Sequence, residues 1–107
     1  MHSMQDPLYH PLFDDAVQMQ YKFHDYSAGS ASHNTMARAL QSEIHQLVQD
    51  IAVERSPRSI EDRLKRIERE FQVTAHQPEP IMKYEHHTEL SKDAFRMQER
   101  VQRFKHY

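Results

Sequence analysis

Two apolar runs at helical spacing, separated by a few residues that end one helix and start another, constrain this chain more than any other feature. Ala37, Leu40, Ile44, Leu47 and Ile51 recur at alternating spacings of three and four, which places them on one stripe of a helix. Ile60, Leu64, Ile67 and Phe71 repeat the pattern. Between the runs, Ser56 followed by Pro57 reads as a cap and a first-turn proline, and Ser59 before Glu61 and Asp62 offers a second start one turn later. Asn34, with Ser32 as competitor, caps the first arm, and Met36 and Val48 widen its stripe. The connection is so short that the arms must pack as antiparallel neighbours, giving a helical hairpin of about 34–54 and 58–72.

A further stripe lies on each side of the hairpin. Pro11 suits a first helical turn, Asp14 and Asp15 complement the dipole there, and Leu12, Ala16, Met19, Phe23 and Tyr26 carry a helix over about 11–26. Residues 1–10 contain Pro7 and no periodicity, which predicts an extended arm. Residues 27–32 are small and include the chain's one glycine, marking a flexible connection. Pro78 and Pro80 break the chain after Val73 and open a long crossover. Ile81, Tyr84 and Thr88 allow a helix directly after Pro80, but the clearer start is Ser91, with Leu90 stapled onto Phe95. Leu90, Ala94, Met97, Val101 and Phe104 then form the last stripe, over about 91–106.

The expectation is an all-α fold: one small antiparallel bundle of four helices over 11–107 around the central hairpin, or a dimer with exchanged outer helices. A single glycine argues against strands joined by tight turns. Hydrophobic residues are 37% of the 107 and mean hydropathy is -0.94, so the core must be narrow, and such bundles often gain stability by self-association. Cysteine is absent, which excludes a disulfide framework and thiolate chemistry. No basic-then-apolar leader opens the chain, and no apolar run approaches membrane-spanning length. A cytoplasmic protein is expected.

The net charge of -2 hides an asymmetry. Residues 1–54 carry seven acids against Lys22 and Arg38, whereas residues 55–107 carry twelve bases against nine acids. The halves are complementary, and they are expected to attract each other within one bundle or across a dimer. Nine histidines make the charge sensitive to mild acid.

Two surfaces are candidates for recognition. On the first helix Tyr9, Phe13, Val17 and Tyr21 lie off the main stripe and give it a second apolar edge, as in a helix that touches two neighbours. A wider core is the simpler account. On the last helix Lys92, Arg96, Arg100 and Arg103 line one face, which suits an acidic protein surface or a phosphate backbone. A solvated face paired with the acidic half explains the same residues. The third helix is basic too, but Glu61 with Lys65, Asp62 with Arg66 and Arg66 with Glu70 read as a ladder of pairs along that helix.

Other chemistry is thinner. The run Glu85-His86-His87-Thr88-Glu89 offers ligands, yet no His-x-x-x-His or Glu-x-x-His spacing aims them at one metal. His45, beside Ile44, is where a phosphotransfer histidine would sit, without the lysine and small residue such a site needs. No cofactor is implied. The reading is a non-enzymatic helical protein acting through protein–protein interaction as a regulator or adaptor, as a homodimer. Its alternative is a nucleic-acid-binding regulator using the basic face of the last helix, with metal binding or phosphotransfer behind both.

Overall fold

Each apolar stripe becomes the buried side of one helix. The computed structural model describes residues 8–28 and 34–105, and these form α1 (Tyr9–Ser27), α2 (Thr35–Ala52), α3 (Pro57–Ala75) and α4 (Tyr84–Lys105), with no strand among them. The caps follow the sequence. Asn34 Oδ1 accepts from the Ala37 N–H at 3.0 Å, and Ser56 Oγ accepts from the Ser59 N–H at 3.2 Å with Pro57 behind it. Of the two starts open to α3, the chain uses the earlier. α2 stops through a Schellman turn in which Glu54, at φ 55°, takes the left-handed position that glycine usually fills. The Glu54 N–H bonds to the Ile51 carbonyl and the Arg55 N–H to that of Asp50, both at 2.9 Å.

The helices run round a square, α1 against α2, α2 against α3, α3 against α4, and α4 back against α1. Across every seam the bonded residues rise in number on one helix as they fall on the other, so all neighbours are antiparallel. Leu12, Met19, Leu40, Ile44, Leu47, Ile51, Leu64, Ile67, Leu90 and Val101 are almost fully buried between them. Phe23 and Phe71 meet at 6.2 Å between ring centroids. The hairpin of α2 and α3 is present, but it is not the tightest pair. α3 packs most extensively on α4, and α1 on α2.

Two boundaries differ from expectation. Residues 1–7 of the predicted arm lie outside the described residues, but Leu8 is buried and Tyr9 already helical. Leu8 extends the stripe four residues ahead of Leu12, and its carbonyl accepts the Leu12 N–H at 3.2 Å. Pro11 therefore sits at the third helical position, where an N–H would still lack an intrahelical partner. α4 begins at Tyr84 rather than Ser91. Ile81 and Met82 tuck into the core straight after Pro80, and the Lys83 carbonyl receives the His86 and His87 N–H groups. Leu90 is thus a mid-helix core residue, and no staple to Phe95 forms.

Candidate functional site

The first-helix edge divides once it is packed. Tyr9 and Val17 rest against the core, and the Tyr9 hydroxyl donates to the Arg55 carbonyl at 2.7 Å, tying α1 to the α2/α3 turn. Phe13 and Tyr21 stay in solvent, at 37% and 65% exposure. Tyr9 and Val17 thus widen the core, and Phe13 and Tyr21 do not.

The basic stripe of α4 divides as well. Arg96 donates to Asp93 at 2.7 Å, and Arg100 stands 4.0 Å from Asp15 of α1. Asp93 and Glu89 also hold Lys22 of α1, at 2.9 and 2.8 Å, and the Tyr26 hydroxyl donates to Glu89 at 3.0 Å. Hydrogen bonds from Lys22 hold the Glu89 carboxyl below its ordinary value, and bonds to Asp93 and then Glu89 push the Lys22 ammonium above its own. Complementarity between the halves of the chain is thus partly used within the bundle. Among the described residues, Lys92 and Arg103 are the stripe members with no carboxylate at ion-pair distance.

The ladder expected along α3 is largely replaced by bonds across its seam with α2. Among the described residues of α3, only Lys65 and Glu61 remain as an ion pair along the helix, at 3.9 Å. Arg63 reaches Asp50 and Glu43, both at 2.8 Å, and Arg66 reaches Glu43 at 3.7 Å. The reason is Asp50, which is buried and needs donors on all sides. Burial alone would raise its carboxyl, but hydrogen bonds from Gln46 and Arg63 outweigh that and hold it low.

The seam between α3 and α4 is built differently. Gln102 donates to buried Glu61, Gln98 to Glu68 at 2.7 Å, Gln72 to Ser91 at 3.5 Å, and Thr74 meets His87 at 3.2 Å. His87 fills a core position of the stripe, three residues before Leu90, at 1% exposure. The Thr74 hydroxyl also donates to the Phe71 carbonyl at 3.1 Å, and His87 Nε2 is buried without a hydrogen-bond partner. Burial pushes the His87 imidazole below its ordinary value, against the pull of the Phe71 and Met82 carbonyls. Its neighbour His86 turns the other way and stacks on Tyr26, with centroids 3.7 Å apart. The histidine run therefore serves two seams, and no group of three or more potential metal ligands converges among the described residues. His45 is exposed on α2, 3.3 Å from the Gln20 amide of α1.

Above this seam lies a groove of about 340 Å³, floored by Phe71 and Ala75 and edged by Tyr84, Phe95, Gln72 and Lys92. Tyr84 and Phe95 are 66% and 49% exposed. Two aromatic rings beside a shallow apolar floor suit a side chain of similar kind from a partner, with Lys92 beside them to meet an acid. Of the residues expected to recognise something, only Lys92 lies here. A helix that starts at Ser91 leaves Tyr84 and Phe95 on no common face; α4 starts at Tyr84. Placed on one helix, Tyr84, Thr88, Ser91 and Phe95 recur at four, three and four, which is a second stripe beside the buried one.

No helix among the described residues is long and apolar enough to cross a membrane. In comparison with known proteins, the sequence matches no family model and no curated protein, and the structure matches no solved structure.

Proposed function

We propose that the chain is a non-enzymatic helical bundle that acts by binding a protein, with the α3/α4 groove as its receptor surface and self-association as its simplest form. Tyr84 and Phe95 carry this reading: two large, exposed aromatic groups on one helix beside an apolar floor are what interface anchors look like before docking. A photo-crosslinking phenylalanine analogue at position 95, expressed in the native host, tests it. Discrete protein adducts from position 95, and none from the same analogue at Glu54 on the α2/α3 turn, are expected. Absence of adducts from position 95 overturns the proposal.

A nucleic-acid reading draws on Lys92 and Arg103, the two stripe cations without an acid partner among the described residues. It has less support, since Arg96 and Arg100 already face Asp93 and Asp15. A complex with duplex DNA at low salt that weakens in the Lys92→Glu/Arg103→Glu double variant would favour it.

A further inference from the structure

We infer that the groove between α3 and α4 receives the outer face of α1 from a second copy of this chain, so that copies associate head to tail; this rests on the groove being a protein-binding surface. The outward stripe of α1 is Asp14, Gln18, Tyr21 and Asp25, all exposed. The shoulder of α3 beside the groove carries Lys65, Arg69, Gln72 and His76, all exposed at the same spacing of four, three and four. Both stripes span twelve residues, about 16 Å of helix from first to last. One presents an aromatic ring between two carboxylates. The other sets Lys92 of α4 beside two aromatic rings, with Arg69 one turn before Gln72 and His76 on the α3 shoulder and Lys65, which also faces Glu61 at 3.9 Å, a turn before that.

Charge decides the pairing. Two copies meeting α1 to α1 would set Asp14 and Asp25 against carboxylates, and two grooves meeting face to face would set Lys65, Arg69 and Lys92 against cations. Glu68, the acid in the groove, already accepts from Gln98. Only the unlike faces bring opposite charges together, with Tyr21 entering between Tyr84 and Phe95. Geometry decides the symmetry. α1 lies across the square from α3, so its outer face and the groove point to opposite sides of the bundle. Two copies cannot satisfy both faces reciprocally, and the contact is heterologous, continuing to rings or open chains rather than closing at two.

Sedimentation velocity over a concentration series, at low and high salt, tests this with the intact chain, circular dichroism confirming the fold of each variant. The wild type is expected to grow beyond a dimer and to dissociate as salt rises. Tyr21→Ala and Phe95→Ala, both on exposed residues, should each weaken assembly about tenfold or more. Mixed in equal amounts, the two variants should pair with wild-type affinity and stop at two, since one keeps its groove and the other its α1 face. A wild type that stays monomeric overturns the inference, while adducts from position 95 to a different protein would leave the groove reading standing. Unchanged assembly of Tyr21→Ala removes α1 as the occupant and spares the groove. Unchanged assembly of Phe95→Ala removes both.

Discussion

α4 is held by two seams of opposite character. Against α3 it is fixed by close packing and by uncharged donors, with Gln98 and Gln102 giving their amides to Glu68 and Glu61, and Thr74 closed on neutral His87. Against α1 the contact is slighter and charged, through Lys22 with Glu89 and Asp93, and Arg100 with Asp15. The first seam behaves as core and the second as surface. The contrast implies that α4 and α3 form the stable unit of the bundle and that α1 is the helix most easily loosened by solvent conditions.

Acid should separate the seams most clearly. The folded His87 resists protonation, whereas the unfolded chain takes up that proton near pH 6.5, so the unfolded state binds more protons below that pH and stability falls as pH drops. The slope from this one group is at most about 1.4 kcal/mol per pH unit. His86 on α4 and His76 on the crossover face it electrostatically and, when charged, push in the same direction, while Glu68 and Lys92 stand across the groove. Glu89 on the other seam acts in the same direction but in a lower pH window. Its folded value lies below the ordinary one, so its contribution is present above about pH 4.5 and is lost only as pH falls through the folded value. Urea melts at pH 7.5 and 5.5 should show wild type losing stability over a window where His87→Leu does not. An equal acid loss in His87→Leu would place the sensitive group elsewhere.

Salt should separate them next. Lys22→Met removes partly exposed ion pairs and is expected to cost about 0.5–1 kcal/mol at low salt and less in concentrated sodium chloride. Gln98→Ala removes a hydrogen bond to a carboxylate in the packed seam, and should cost about 1–2 kcal/mol at any salt concentration. If both losses shrink alike with salt, the two seams do not differ in kind.

The apolar side of this architecture was legible in the sequence because burial imposes a period. All four stripes and the antiparallel hairpin follow from spacing, and residue type offers the Asn34 and Ser56 caps beside Ser32 and Ser59. The seams were less legible, because which carboxylate a guanidinium reaches depends on the neighbouring helix. Spacing alone pairs Arg66 with Asp62 and Glu70, yet it turns to Glu43 across the α2/α3 seam. The start of α4 was lost for a related reason. His87 occupies a core position that an apolar residue would have advertised, and a histidine there makes sense only with Thr74 opposite. With the first turn of α4 hidden, Tyr84 and Phe95 fell on no common face, and the groove they border went unseen.

The smallest effect is the most exacting check, because it concerns an ion pair that the charge layout alone would rank highly. Arg100 and Asp15 join the basic last helix to the acidic first one, but they stand 4.0 Å apart with both side chains about half exposed. Asp15 shows how little the pair gives: burial holds its carboxyl above the ordinary value, and the pull of Arg100 in the other direction does not overcome it. A pair this long and this exposed adds little to folding. Arg100→Glu should therefore leave the helical circular dichroism intact and shift stability by no more than about 0.5 kcal/mol. A loss of several times that size would mean the charged seam carries more of α4 than its geometry indicates, and the division between a packed seam and a solvent-tuned one would have to be redrawn.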